Sequence, residues 1–217
     1  MFFLGYISIT IVNGGVTNFS SQIIQSFNYD RPRSALLNIS VGGSEFIAYW
    51  LGAFIFELTD RRIVTIMFGL IFSLIGTIMM IAIPEVKNSS RMAGLCLTYF
   101  YNVAMPLFYS WQSGSVAGAT KRIIFSVVLQ LAHSGGNIIG PQTYQGANSQ
   151  FTAAKVVMIV MIGSAIFFSM FLFIIHLRWN KKKEQEVQPQ FKSYSEQLRT
   201  ELSDLTDWER VTYRYTY

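Results

Sequence analysis

Long apolar runs alternate with short polar connectors along most of the chain. Six runs are long enough to cross a lipid bilayer as α-helices, which takes about 20 mostly apolar residues. They fall at about 2–26, 35–57, 63–83, 92–114, 122–143 and 155–177. The connectors between them, such as NYDRPRS and GATKR, are too short to hold a soluble domain. The pattern predicts an all-α integral membrane protein with a compact bundle of six transmembrane helices.

The pattern changes abruptly after Leu177, where charged residues of both signs replace the apolar runs. We therefore predict two regions, a six-helix transmembrane bundle over 1–177 and a partly disordered tail over 178–217. Arg178 and Lys181 to Lys183 form a basic cluster beside the last span. Such a cluster either meets anionic lipid headgroups or simply stops translocation.

The distribution of Lys and Arg between the connectors predicts the orientation. With the tail in the cytoplasm, the segments on that side hold eight basic residues and those on the other side hold five. The positive-inside rule therefore favours a cytoplasmic tail. Four of the eight are interpreted as cytoplasmic anchors or contacts between bundles: Arg61, Arg62, Lys121 and Arg122. Asn88, in the sequon Asn88-Ser89-Ser90, then lies in an external loop as a candidate glycosylation site.

Composition excludes several classes of protein. Hydrophobic residues make up 51% of the chain and charged residues only 13%, against roughly 25% in soluble domains. The net charge of +5 is spread over small clusters and forms no basic face, so we expect no nucleic-acid partner. One cysteine and two distant histidines build neither a disulfide framework nor a familiar metal site. Enzyme motifs are absent, no cofactor is expected, and no basic segment precedes the first apolar run as in a cleavable signal peptide.

The fifth predicted span contains the stretch HSGGNIIGPQTY, which is unusually rich in residues that weaken helices in lipid. Pro141 has no amide hydrogen and its ring clashes with the carbonyl of Asn137, so we expect the helix to kink or break there. Gly135, Gly136 and Gly140 allow close approach of a backbone, and the spacing of the last two is that of a helix-packing face. The stretch is predicted to face protein or a water-filled cavity rather than lipid.

The first predicted span is polar in the same way, with the stretch VNGGVTNFSSQ. Asn13 and Thr17 lie four residues apart, as do Asn18 and Gln22. One interpretation is interhelical hydrogen bonding, at about 0.6 kcal/mol per bond. The other is a polar lining that binds a solute, as in the interrupted helices of transporters. The candidates for the lining of a substrate pathway are Asn13, Asn18, Gln22, Asn137 and Gln142.

Glu45 and His133 are the ionisable groups deepest in the predicted spans. A carboxylate in a span costs several kcal/mol unless it is neutral, paired or hydrated, so Glu45 is a candidate for proton coupling. The alternative is a protonated glutamate that is hydrogen-bonded to a neighbour. His133 is the second proton-coupling candidate, although a lone histidine in a span is more often a packing residue. The spans offer no obvious cationic residue for binding an anion.

Four short stretches stand out when they are taken together: GGVTNFSS in the first span, AGATKR between the fourth and fifth, GNIIGPQ in the fifth and DLTDWER in the tail. They resemble sequences of fungal allantoate permeases. That family belongs to the major facilitator superfamily and includes transporters of organic anions and related small metabolites. The resemblance covers essentially the whole chain and implies the second of two six-helix bundles, helices seven to twelve. It also implies proton-coupled uptake of a small organic anion, such as allantoate or a related carboxylate, at the plasma membrane.

A single bundle presents only half of a solute site, because transporters of this type bind substrate between two bundles. We therefore expect the chain, besides the lipid bilayer, to need a second six-helix bundle as partner, either a separate first half or another copy of itself. The alternative is a truncated, transport-inactive membrane protein, or an interaction partner of a full-length transporter. A membrane enzyme is a third hypothesis, and Glu45 and His133 are its only candidate residues.

Overall fold

The structure of the protein, a computed structural model, describes residues 1–83, 87–116, 118–145 and 151–187. These ranges contain seven α-helices and one 3₁₀ segment. The elements are α1 (Phe2–Gln25), α2 (Arg31–Thr59), α3 (Arg62–Ala82), α4 (Asn88–Thr98), the 3₁₀ segment (Tyr99–Val103), α5 (Ala104–Gly114), α6 (Ala119–Gln142) and α7 (Thr152–Val187). Residues 188–217, which hold most of the predicted tail and the DLTDWER stretch, lie outside the described residues.

Five of these helices are long and apolar enough to cross a bilayer, namely α1, α2, α3, α6 and α7. They coincide with the first, second, third, fifth and sixth predicted spans. The fourth predicted span, 92–114, is not one helix but the succession α4, 3₁₀ segment and α5, and it begins earlier, at Asn88. The described part of the chain is therefore an all-α membrane bundle with six crossings, one of which is interrupted.

Pro106 explains the interruption of the fourth crossing. A proline removes the amide that would bond to the carbonyl four residues earlier, and its ring clashes with that carbonyl. For Pro106 the residue four positions back is Asn102, which lies in the 3₁₀ segment. The tighter 3₁₀ turns let the chain pass this point without a buried gap in its backbone hydrogen bonds.

The helix α1 lies at the centre of the bundle and packs mainly against α6 and α7, while α3 packs against α4, α5 and α7. Large aromatic side chains fill the space between α1 and α5, among them Tyr6, Phe108 and Trp111, all fully buried. The helix α2 is peripheral: Gly52 and Ala48 pack on the 3₁₀ segment, and most of its other side chains are exposed. In a bilayer such exposed apolar side chains face lipid or another protein.

The last helix is longer than predicted. Thr152–Val187 continues ten residues beyond the predicted end of the sixth span at 177. The predicted change from bundle to tail at residue 178 therefore falls within a continuous helix, and the character of the tail stays a prediction.

Candidate functional site

The two polar, glycine-rich stretches of the sequence pack against each other. Thr10 of α1 donates a hydrogen bond from Oγ1 to the carbonyl of Ala132 in α6, at 3.1 Å. A Cβ on Gly14 would lie 2.7 Å from the Cα of Asn137, and one on Gly140 would meet the backbone of Ile11 and Gly15. Such contacts exclude any side chain, so both positions require glycine. The stretch 133–144 therefore serves as a packing face, and its partner is α1 of the same chain.

The other helix-weakening residues of α6 have different surroundings. Gly136 also packs closely on Thr10, whereas a Cβ on Gly135 would meet only the tip of Ile7, at 3.9 Å. Pro141 lies in the last turn, and α6 ends one residue later at Gln142. The proline thus stands at the end of the helix and not at a kink within it.

A chain of hydrogen bonds joins α2, the 3₁₀ segment and α1. Asn102 donates from Nδ2 to Oε1 of Glu45 at 2.8 Å. Asn13 donates from Nδ2 to Oδ1 of Asn102 at 3.3 Å and to the hydroxyl of Tyr101 at 3.2 Å. Glu45 and Asn13 are half-buried, while Tyr101 and Asn102 are buried. The amide of Asn102 therefore bridges a carboxyl group of α2 to the polar face of α1.

Tyr101 and Asn102 are the residues that sequence reasoning missed. The 3₁₀ segment lies inside a predicted continuous span, where these two residues carried no special signal. Its side chains are all buried, including the amide of Asn102. The signal that could have revealed the segment is Pro106, because a proline inside a span implies disturbed hydrogen bonding one turn earlier.

His133 belongs to a second, separate polar cluster. Its Nδ1 lies 3.4 Å from the hydroxyl of Tyr6. The ring of Tyr6 meets that of Tyr109 edge to face at 5.2 Å, and Tyr109 donates a hydrogen bond to Oε1 of Gln130 at 3.0 Å. This cluster connects α1, α5 and α6 and does not include Glu45. The structure thus places the two proton-coupling candidates in different networks.

In the described part of the chain, the side chains of the remaining pathway candidates are not hydrogen-bonded to the Glu45 chain. Asn18 donates to the carbonyl of Gly14 at 2.7 Å, and Asn137 donates to the carbonyl of His133 at 2.9 Å, so both amides bond to their own helices. Asn18, Gln22 and Gln142 are exposed on the surface of the bundle. Gln22 lines an open recess of about 660 Å³, mostly polar, together with Ser21, Gln25, Ser26, Arg31 and Phe151.

Two cations do lie inside the bundle, contrary to the expectation from the sequence. Lys155, expected at the border of the sixth span, lies in α7 and is 2% exposed. Arg91 of α4 is 5% exposed. Their charged groups flank the ring of Phe27, with Nζ of Lys155 5.2 Å and the guanidinium carbon of Arg91 4.8 Å from its centroid. Cation–π contact and the apolar stems make burial of both tolerable.

The predicted anchors and the glycosylation candidate lie at the ends of the helices. Arg61 and Arg62 stand at the start of α3, and Nε and Nη1 of Arg62 are buried without a hydrogen-bond partner among the described residues. Lys121 and Arg122 lie in the first turn of α6. Asn88 is the first residue of α4 and is half-buried, so the sequon lies in a helical turn instead of an open loop.

Comparison with known proteins shows similarity over the whole chain. The chain is 29% identical over its full length to an uncharacterized transporter from Schizosaccharomyces pombe, of which it covers 43%. It is 28% identical over 96% of its length to an MFS-type transporter from Penicillium expansum, of which it also covers 43%. It is 27% identical over its full length to the allantoate permease of Saccharomyces cerevisiae, of which it covers 41%. The chain is thus similar over its whole length to a part of fungal transporters, one of which is an MFS-type transporter.

The similarity confirms the family resemblance and limits its scope. The chain spans 41–43% of the length of these three relatives, and no protein-family model matches it. Together with the apolar helices, the relatives make it a multi-pass membrane protein, and the six-crossing bundle is consistent with half of an MFS transporter. The relatives are named as transporters and permeases, so the enzyme hypothesis has no support.

Proposed function

We propose that this bundle forms one side of the solute pathway of a proton-coupled transporter for small organic anions, such as allantoate or a related carboxylate. The observation that carries the proposal is the hydrogen-bonded chain Glu45–Asn102–Asn13 at the interrupted helix. Similarity to transporters, one of them an allantoate permease, supports the choice of function and of substrate class.

The physical argument starts from the carboxyl group of Glu45. An ionisable group within a membrane-spanning helix is costly, and it is typical of ion and substrate pathways. Glu45 is half-buried, and its one hydrogen bond within the described part of the chain comes from the neutral amide of Asn102. A neutral partner does not fix the carboxyl group in its charged form. Glu45 can therefore take up and release a proton, and His133 is a second, separate candidate for this role.

The polar surface of α1 and α6 supplies the proposed lining. Thr17, Asn18 and Gln22 of α1 are exposed, as are Gln130 and Ser134 of α6. Exposed polar side chains at membrane depth need water or protein in front of them. We therefore place Asn13, Asn18, Gln22, Asn137 and Gln142 along a water-filled pathway, with Gln22 and Gln142 toward its outer end.

A second six-helix bundle would close the other side of this pathway. Two six-helix halves that rock around a central site are the usual construction of such transporters. The exposed polar surface of α1 and the exposed apolar surface of α2 are the faces that a second bundle would cover. The partner would be a separate first half or another copy of this chain.

The proposed membrane is the plasma membrane, with the tail in the cytoplasm. Arg61, Arg62, Lys121 and Arg122 would then lie at the cytoplasmic ends of the helices, and Asn88 outside. In intact cells, external protease should leave a C-terminal epitope tag intact. Loss of the tag to external protease without permeabilisation would show that the tail lies outside the cell.

Uptake of labelled allantoate tests the function. The chain is expressed alone and together with a separate first six-helix bundle of the S. cerevisiae allantoate permease, in cells without allantoate uptake of their own. We expect uptake only when both halves are present, since one half presents an incomplete site. Uptake by the chain alone would indicate two copies acting together. Absence of uptake in both cases, with the protein shown to be in the membrane, would favour a transport-inactive protein or an interaction partner.

A further inference from the structure

An apolar cavity of about 570 Å³ lies at the end of the bundle where α6 begins. Its walls are formed by the first half of α6, the last part of α7 and the start of α1. The apolar lining includes Ile124, Phe125 and Val128 of α6 and Leu172 and Ile175 of α7. The volume lies within the roughly 300–1,000 Å³ of small-molecule sites.

This cavity is separate from the proposed solute pathway. Positions 121, 124, 125 and 128 recur at three- and four-residue spacing and so share one face of α6. Gln130, His133 and Ser134 lie on the opposite face of the same helix, as the 3.6-residue period places them about half a turn away. A ligand in the cavity would therefore not contact the polar surface that we assign to the solute.

The surroundings of the cavity are those of the bilayer. Ile124 and Phe125 of α6, which line the cavity, are themselves exposed apolar side chains, as is Phe171 of α7 beside the lining residue Leu172. Trp179 lines the cavity near the charged end of α7, where amphipathic aromatic rings usually mark the membrane interface. A molecule that enters between these helices comes from the lipid phase.

Positive charge gathers at the same end of the cavity. Lys121 is one of its lining residues. Arg122 follows in α6, and Arg178 and Lys181 lie within two residues of the lining residue Trp179 in α7, all three exposed. Anionic lipid headgroups are attracted by about 1 kcal/mol for each nearby Lys or Arg.

We propose that the cavity is a binding site for an anionic phospholipid, whose acyl chain fills the apolar space between α6 and α7 and whose headgroup phosphate contacts Lys121. The inner wall that would receive the acyl chain is held by a hydrogen bond and by aromatic packing. His176, 3% exposed, lines the cavity and accepts a hydrogen bond on Nδ1 from Nε1 of Trp111 at 3.2 Å. The rings of Phe2 and Trp111 pack edge to face, with their centroids 5.4 Å apart. Lipid binding in this cavity does not require that the chain transports a solute.

Quenching of tryptophan fluorescence by brominated lipids tests the site. The chain is purified with Trp50→Phe and Trp208→Phe, which leaves Trp179 at the cavity and the buried Trp111. It is reconstituted into vesicles of brominated phosphatidylglycerol mixed with unlabelled phosphatidylcholine, and into the reverse mixture. From the quenching of Trp179 in the two mixtures, we expect the cavity to bind phosphatidylglycerol at least about fivefold more tightly than phosphatidylcholine. About fivefold is the ratio of binding constants that one Lys or Arg contributes at about 1 kcal/mol.

Three variants and a matched control make the test specific. Lys121→Gln should lower the preference about fivefold, and Lys121→Arg should keep it. Arg33→Gln, which removes an exposed charge at the opposite end of the bundle, should leave it unchanged. Val128→Phe, which fills the cavity, should reduce quenching of Trp179 by either lipid. Equal quenching by both lipids before any substitution at Lys121, or the same preference in Lys121→Gln and Arg33→Gln, would overturn the proposal.

Discussion

Glu45→Gln should abolish accumulation of allantoate against a gradient while leaving exchange of labelled for unlabelled substrate intact. Glutamine keeps a carbonyl oxygen that accepts the hydrogen bond from Asn102, so the contact between α2 and the 3₁₀ segment survives. It cannot carry a proton. The measurement compares uphill uptake with counterflow, in cells where this chain and its partner bundle together support uptake.

Glu57→Gln is the matched control for this prediction. Glu57 lies in the last turn of the same helix α2 and is exposed. Its substitution removes the same charge outside the network and should change neither accumulation nor exchange. If the Glu45→Gln variant still accumulates substrate at the original rate, Glu45 has only a structural role and does not couple transport to protons.

Gly140→Ala should produce the largest loss of stability among single-methyl changes in the bundle. The added Cβ would meet backbone atoms of Ile11, Gly14 and Gly15, which cannot move aside as a flexible side chain would. Overpacking costs typically 1–3 kcal/mol, and we expect about 3 kcal/mol or more because both contacting surfaces are helix backbone. The measurement is the free energy of unfolding in mixed micelles titrated with a denaturing detergent.

Gly43→Ala provides the control, since nothing lies within 4 Å of a Cβ at that position of α2. The added methyl should leave stability unchanged or raise it by up to about 1 kcal/mol, because alanine is the better helix former. Equal stability of Gly140→Ala and Gly43→Ala would show that α1 and α6 do not pack as closely as described.

The six crossings follow from the sequence because bilayer thickness fixes the length of each apolar run. Where a run is continuous, as in α3, predicted and observed ends differ by about one residue. The fourth crossing departs from this rule because apolarity measures only whether a segment enters the membrane. It does not show whether the backbone stays α-helical. In the fourth crossing Pro106 interrupts the α-helix, and a 3₁₀ segment precedes it.

The sequence alone did not show which helices and side chains pack against each other. Gly136 and Gly140 predicted a close-packed face, but small residues do not identify the helix that packs on them. That helix is α1, because Gly14 and Gly15 offer a matching flat surface. The role of Asn102 could not be predicted from the sequence for a related reason. A single polar residue in an apolar run acquires meaning only when the fold places Glu45 and Asn13 beside it.

The buried cations show the same dependence on tertiary structure. In the sequence Lys155 stands beside a polar connector, which suggests a solvated charge. In the structure it lies inside the bundle with Nζ over the ring of Phe27, which lies in the turn after α1. No local pattern near Lys155 contains that information.

The central claim, that α1 lines a water-filled solute pathway, is tested most directly by thiol labelling at Asn18. With the single natural cysteine replaced, Cys96→Ser, cysteine is introduced either at Asn18, exposed on the polar surface, or at Val160, exposed on the apolar surface of α7. In membranes that contain both bundles, a small charged thiol reagent should label Asn18→Cys, allantoate should protect it, and Val160→Cys should stay unlabelled. Equal labelling at the two positions, or no labelling at Asn18→Cys, would contradict the account.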